Sequence, residues 1–172
     1  MADYIFFMGL VLQGLVGSFA ANLSDSGISP ALVATVLSVY SICLSVSKVL
    51  SGTMYDKLGI RFTATLCNLC VIITVILMFF TGNTPLGRIF AVVSAVTFAL
   101  GLPLETIMLP FFAGDLFGLK SYNDILGVFC SVSYVGMAAG VPFMNIFYEI
   151  YGIYNLGLII SAAEMGLCCI VF

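Results

Sequence analysis

Residues 62–81 read FTATLCNLCVIITVILMFFT, an apolar stretch without a charged side chain. A helix needs about 20 such residues to cross the roughly 30 Å hydrocarbon layer of a membrane. Lipid offers no hydrogen-bond partners to backbone groups, so a spanning segment must be a helix or part of a closed barrel, and long unbroken apolar runs favour the helix. The stretch therefore predicts a transmembrane helix.

Five further apolar runs accompany this one and predict helices of similar length. Together the six segments lie at approximately 4–23, 31–54, 62–81, 87–112, 124–147 and 153–172. The chain is 62% hydrophobic and 8% charged, whereas soluble domains carry about 25% charged residues. We therefore predict an all-α integral membrane protein of six transmembrane helices, with 1–172 forming a single membrane domain.

The polar and metal-ligating side chains exclude several classes of protein. The chain has no His, and its six cysteines all lie inside apolar runs without the spacing of a zinc site. The net charge of −3 leaves no basic patch for nucleic acid. Neither a nucleophile elbow nor paired carboxylates occur within one segment. The sequence predicts no enzyme, no metal or cofactor site and no nucleic-acid binding.

The positions of the basic residues predict the orientation in the membrane. Lys57, Arg61 and Lys120 lie in the second and fourth connections, whereas Arg88 flanks the opposite side. Cytoplasmic loops collect Lys and Arg. Both termini are therefore expected in the cytoplasm, with the chain in the plasma membrane, or in the inner membrane of a bacterial cell.

An internal repeat relates the two halves of the chain. A shift of 93 residues lays GTMYDKLG at 52–59 on NIFYEIYG at 145–152, with Tyr, an acidic residue and Gly in register. The same shift lays the first three segments on the last three, so the repeats cover 1–82 and 83–172. Because each repeat has an odd number of helices, the second is expected to be inverted in the membrane. Chance similarity between two helix boundaries is the alternative.

The connection after the second segment resembles a loop of the major facilitator superfamily. The family motif G-x-x-x-D-[RK]-x-G-x-[RK] is matched by Gly52, Asp56, Lys57, Gly59 and Arg61. Gly52 would let two helices approach closely, and Asp56 with the following cations would form a cytoplasmic gating network. A tight loop could also hold these residues for turn geometry and topology alone.

Three further stretches resemble the C-terminal half of the monocarboxylate and oxalate/formate transporter branch. They are ISPAL at 28–32, GDLFG at 114–118 followed by Leu126 and Gly127, and YGIY at 151–154. The resemblance spans nearly the whole chain and implies one half of a twelve-helix fold. The implied partner is an N-terminal six-helix half or a second copy of the chain. The absence of a polar tail after Phe172 favours a fragment.

The resemblance implies that Lys48 meets a substrate carboxylate. An ionisable residue inside a membrane segment is costly and is a functional hypothesis by default. Alternatively, Lys48 extends to the cytoplasmic face or pairs with Asp56. Leu44 occupies a position where monocarboxylate carriers often have an acidic residue, and 130–147 lacks the second cation of the oxalate carriers. A monoanion therefore fits better than a dicarboxylate.

Three more side chains are candidates for the substrate site. Glu105 lies between Pro103 and Pro110, which loosen the helix and free carbonyl groups for a ligand or water. It is expected to be a proton carrier, the counter-charge to the lysine, or part of a structural ion pair. Gln13 and Tyr40 supply polar groups for a small solute, although most such groups form interhelical hydrogen bonds.

Several glycines and one acidic residue also lie inside the predicted membrane segments. Gly136 and Gly140 form a G-x-x-x-G pair, and further glycines at 9, 14 and 17 lie in the first segment. Small residues permit close backbone approach, so these positions predict helix packing and not substrate contact. Glu164 lies in the sixth segment, which should be peripheral, and no role follows from its position.

These features favour a secondary active transporter that carries a small organic monoanion, such as a monocarboxylate, by alternating access as a symporter or antiporter. Its partners would be the small solute and the lipid bilayer. The alternative is a non-transporting membrane sensor or interaction subunit, or an inactive fragment of a transporter. Saturable solute flux would distinguish the two.

Overall fold

The computed structural model describes residues 2–118, 122–152 and 154–171, and these residues are helical with short connections and no strand. Lys120, Ile153 and Phe172 lie outside the described residues. The helices are α1 Ala2–Asp25, α2 Pro30–Phe79, α3 Pro85–Gly101, α4 Pro103–Thr106, α5 Met108–Phe117, α6 Tyr122–Tyr151 and α7 Asn155–Val171. The all-α prediction is confirmed.

The described chain contains four stretches of helix that are long and apolar enough to cross a membrane, judged by length and composition. They are Asp3–Asp25, Pro30–Phe79, Pro85–Thr106 and Tyr122–Ile150, and a shorter apolar stretch spans Leu156–Gly166. Large apolar side chains also point outward, such as Ile42, Val49 and Leu86, each about two thirds exposed. This outward apolar surface agrees with a lipid environment.

The long helix α2 folds back at Gly59. Its 50 residues would form a straight rod of about 75 Å at 1.5 Å per residue, far more than a membrane requires. Gly59 instead has φ 79° and ψ 173°, a backbone conformation that favours glycine. Ser47 and Cys67, on either side of this turn, both contact the end of α3. The two parts of α2 therefore pack side by side, and they match the predicted second and third segments.

Glycines with positive φ mark the other connections as well. Among the described residues they are Gly27, Gly59, Gly118 and Gly152, with φ between 69° and 79°. Gly59 and Gly152 are related by the 93-residue shift, and Gly118 falls two residues from the equivalent of Gly27. Turns at corresponding places in the two halves therefore use the same backbone conformation.

Glycines also line the crossing of α1 and α6. A Cβ atom placed on Gly140 would lie 2.8 Å from the main-chain nitrogen of Gly14, and one on Gly9 would lie 2.7 Å from the main-chain oxygen of Ser133. Real Cβ atoms do not approach other atoms this closely, so the two backbones pass at a distance that only glycine permits. The packing interpretation of Gly136 and Gly140 is confirmed.

A polar contact joins α2 to α3. The buried Ser47 hydroxyl donates a hydrogen bond to the Ala99 carbonyl at 2.5 Å. This carbonyl needs a partner because Pro103, four residues later, has no N–H to donate. Further along α2, Thr74 donates to the Thr97 hydroxyl at 2.8 Å. Hydrogen bonds therefore hold α2 against α3, whereas close contacts at glycines hold α1 against α6.

The exposure pattern of α2 recurs on α6 after the 93-residue shift. Exposed positions 34, 35, 38, 41, 42, 45 and 49 correspond to exposed positions 127, 128, 131, 134, 135, 138 and 142. Buried positions 36, 47 and 51 correspond to buried positions 129, 140 and 144. Exposed positions 46, 48 and 50 depart from this, because 139, 141 and 143 are half-buried. The two helices present nearly the same face to the rest of the protein.

Candidate functional site

Two prolines interrupt the helix that follows α2. The helical hydrogen-bond pattern is interrupted at Leu102 and Ile107, whose dihedral angles stay in the right-handed helical region, so α4 is a single turn between α3 and α5. Proline has no N–H group, so Pro103 and Pro110 each leave the carbonyl four residues earlier without its usual helical partner. The predicted loosening of the helix around Glu105 is confirmed.

A cavity of about 300 Å³ lies between this break and α6. This volume is at the lower end of the range for small-molecule sites, roughly 300–1,000 Å³. Its polar lining consists of Glu105, Thr106, Ser133 and Tyr134, and the remaining wall of Leu109, Pro110, Cys130 and Met137. The cavity therefore combines one carboxyl group with hydroxyl groups and an apolar wall.

Two polar atoms at this cavity are buried without a hydrogen-bond partner in the described chain. They are Oε1 of Glu105 and Oγ of Ser133, whose side chains are 4% and 1% exposed. A buried polar group left without a partner costs about 1–3 kcal/mol. Such groups in a cavity are ready to bind a ligand or water.

Tyr40 lies near Glu105. The two side chains lie within electrostatic range of each other. The Tyr40 ring stacks on Phe98 with a centroid distance of 5.5 Å and lies 6.1 Å from Phe19. The structure therefore brings two of the four predicted substrate-site residues together. Gln13 is half-buried on α1 and makes no hydrogen bond within the described residues.

Lys48 lies apart from this cavity on the exposed face of α2. It forms no ion pair with Glu105 or Asp56 in the part of the chain that the structure describes. It follows a row of exposed serines at 38, 41 and 45 whose hydroxyls donate to carbonyls one turn earlier. An open apolar groove lined by Val46, Val49 and Leu50 runs beside it. The expected meeting of Lys48 with a solute stays a prediction.

The connection that resembles the major facilitator loop makes few contacts. Gly52 is half-buried, and within the described residues no atom outside its own stretch of helix lies within 4 Å of the place a Cβ would occupy, so its role in a close helix approach stays a prediction. Ser47 and Ser51, on the same part of α2, are buried. The three charged residues of the motif, Asp56, Lys57 and Arg61, are exposed and form no ion pair among the described residues.

A tyrosine between these motif residues does contact a neighbouring helix. Tyr55 donates a hydrogen bond to Asp115 Oδ1 at 2.9 Å, and its ring stacks on Phe111 with centroids 3.8 Å apart. At the equivalent position of the second repeat, Tyr148 lies near the Asp25 carboxylate. The two tyrosines stand in register under the 93-residue shift, but the sequence does not show which residues they contact.

Ser133 and Thr106 were not predicted as site residues, and Glu164 had no predicted role. Ser133 and Thr106 line the cavity but stand in unremarkable apolar runs. Glu164 is half-buried on α7, and its Oε2, like Oγ of Ser161 one turn earlier, is buried without a partner in the described chain.

No protein-family model, curated protein or solved structure matches the chain. The resemblance to the major facilitator superfamily therefore rests on the sequence stretches quoted above.

Proposed function

We propose that the chain is a six-helix half of a secondary active transporter of the major facilitator type, which carries a small organic monoanion by alternating access. The main observation in support is the correspondence of the two halves. Exposure along α2 and α6, and the positive-φ glycines at 59 and 152, recur at the same 93-residue shift. Such repeats are typical of transporter halves.

The packing of the helices supports the same proposal. Under the shift, α1 corresponds to the α3–α5 stretch, and the first part of α2 corresponds to α6. The pairing of α1 with α6 therefore corresponds to contact between the first part of α2 and the α3–α5 stretch, and the Ser47 to Ala99 hydrogen bond is such a contact. A 3+3 inverted repeat requires this correspondence.

A polar face on α2 suggests where the solute passes. Serines 38, 41 and 45 and Lys48 are all exposed, although polar groups facing lipid are unfavourable. Such a face is stable when it lines a water-filled pathway. A second six-helix half, or a second copy of the chain, would enclose that pathway, and Lys48 would pair with the carboxylate of a monoanion.

The two tyrosine contacts suggest how access alternates. Tyr55 with Asp115 and Tyr148 with Asp25 occupy corresponding ends of the two repeats. If the repeats are inverted, one contact lies on the cytoplasmic side of a plasma membrane or bacterial inner membrane and the other on the outer side. Rocking about a central site would then loosen one contact while the other stays closed.

Flux measurements test the proposal directly. The full chain is reconstituted into vesicles, and uptake of short radiolabelled monocarboxylates is followed against concentration. We expect saturable uptake that Lys48→Ala abolishes without reducing the amount of folded protein. Arg88→Ala, which removes a cation bonded to Asn83, is the matched control and should transport normally.

Two results would contradict this proposal. Uptake that survives Lys48→Ala would remove that residue from the mechanism. Complete absence of saturable flux, in vesicles where the protein is folded, would favour the alternative of a non-transporting sensor or interaction subunit.

A further inference from the structure

The oxygen atoms at the α3–α5 break form an unusual group. Glu105 Oε1 and Ser133 Oγ are buried and lack partners in the described chain, and both side chains line the same cavity. Ser131, two residues before Ser133, shows the ordinary behaviour of a helical serine, since it donates to the Gly127 carbonyl at 2.8 Å. Ser133 makes no such bond, and its buried hydroxyl has no partner within the described residues.

Close packing holds Ser133 in place. Its main-chain oxygen would lie 2.7 Å, and its Oγ 3.3 Å, from a Cβ atom on Gly9. The crossing of α1 and α6 is therefore tight beside this residue. A hydroxyl on rigid backbone keeps its direction, which is what a specific binding site requires.

Thr106 also lines this cavity and has a main-chain carbonyl at the end of α4. Pro110 lacks an N–H, so this carbonyl does not receive the helical hydrogen bond from four residues later. Pro103 likewise leaves the Ala99 carbonyl without its helical donor, and that carbonyl accepts a hydrogen bond from Ser47 instead. No side chain donates to the Thr106 carbonyl within the described residues.

The geometry points to a sodium-ion site formed by the Glu105 carboxylate, the Ser133 hydroxyl and the Thr106 carbonyl. Hard cations prefer carboxylate, hydroxyl, carbonyl and water oxygens. A single carboxylate balances a monovalent ion, whereas divalent sites gather more negative charge. Irregular backbone inside a transporter helix is a known way of presenting carbonyls to sodium. Cys and His spacing in the sequence gives no sign of a site built from oxygen atoms.

Other occupants satisfy the group less completely. A proton on Glu105 would provide one donor and leave the Thr106 carbonyl without a partner. An anion would be repelled by the ionised carboxylate. A sodium ion could be coordinated by all three oxygens. A cavity of about 300 Å³ also has room for the water molecules that complete the coordination shell of the ion. In the proposed transporter, the ion would balance the charge of the carried monoanion, and this role alone rests on the proposed function.

Equilibrium binding of radioactive sodium to the purified full chain tests the site without requiring transport. Choline chloride keeps the ionic strength constant. Wild-type protein should show saturable binding, Glu105→Gln should abolish it, and Ser133→Ala should weaken it about tenfold, the effect of losing one buried polar partner. Ser131→Ala and Glu164→Gln are matched controls, and both should bind like wild type. Size-exclusion chromatography verifies that each variant is folded.

The site is wrong if the wild-type chain shows no saturable sodium binding. It is also wrong if Ser133→Ala binds sodium with unchanged affinity. Because this change removes only a hydroxyl group, it tests the site even if Glu105→Gln does not fold. Flux separates the two proposals. Sodium binding without solute flux would keep the site and overturn the transporter, whereas solute flux without sodium binding would overturn the site alone.

Discussion

The Tyr55 hydroxyl donates a hydrogen bond to Asp115 Oδ1 at 2.9 Å. This bond joins the end of the first part of α2 to the end of α5, two places 60 residues apart in the chain. Stacking of the Tyr55 ring on Phe111, with planes 5° apart, adds an apolar contact to the polar one. The Tyr55–Asp115 bond therefore attaches the part of α2 before the turn at Gly59 to α5.

Tyr55→Phe should loosen this anchor while keeping the aromatic stack. We expect a loss of about 0.5–1.5 kcal/mol of stability, the usual contribution of one hydrogen bond, measured as a lower thermal midpoint in detergent. Asp115→Ala should have a similar effect. Since both changes remove the same bond, the double variant should be no less stable than either single variant, and additive losses would show that the two residues act independently. Tyr122→Phe serves as a control.

The proposed inversion of the repeats makes a prediction about sidedness. In a cysteine-free background, Lys57→Cys should react with a membrane-impermeant maleimide only from the cytoplasmic side, because basic residues mark that side. Asn83→Cys, in the connection between the two repeats, should react only from outside. Both residues are exposed, so accessibility will depend on topology and not on burial. Labelling of both from the same side would disprove the proposed topology.

Much of the helical arrangement could be predicted because it depends on local chemistry. The apolar run at 62–81 ends within two residues of the observed end of α2 at Phe79. Pro103 and Pro110 predicted the break around Glu105 from the missing N–H groups alone. These signals lie in the residues themselves and require no knowledge of neighbouring helices.

The faces of the helices could not be predicted in the same way. The family motif pointed to Gly52 as a place of close helix approach, whereas the described chain has such contacts at Gly9, Gly136 and Gly140. The position of Ser133 at the cavity likewise depends on how α6 is rotated against α1. In a segment that is apolar all round, periodicity does not identify the buried face, so rotation depends on the summed packing of both helices.

The Ser47 hydrogen bond gives a sharp test of the contact between α2 and α3. Ser47→Ala should leave the Ala99 carbonyl buried without a donor and lower stability by about 1–3 kcal/mol. Ser45→Ala is the matched control, because its exposed hydroxyl bonds only to a carbonyl of its own helix. The comparison is made by thermal unfolding in detergent. Equal midpoints for the two variants would mean that another group satisfies the Ala99 carbonyl.

Gly140→Ala should be the most damaging small substitution on α6. Its added Cβ would lie 2.8 Å from the main-chain nitrogen of Gly14, and backbone cannot move aside as a flexible side chain can. Overpacking of this kind costs about 1–3 kcal/mol, so we expect a clearly lower thermal midpoint. Gly127→Ala adds the same methyl group on the same helix, where no atom lies within 4 Å. That control should be neutral or slightly stabilising, because alanine favours helix by about 1 kcal/mol over glycine. A stable Gly140→Ala variant would show that α1 and α6 do not cross at this glycine pair.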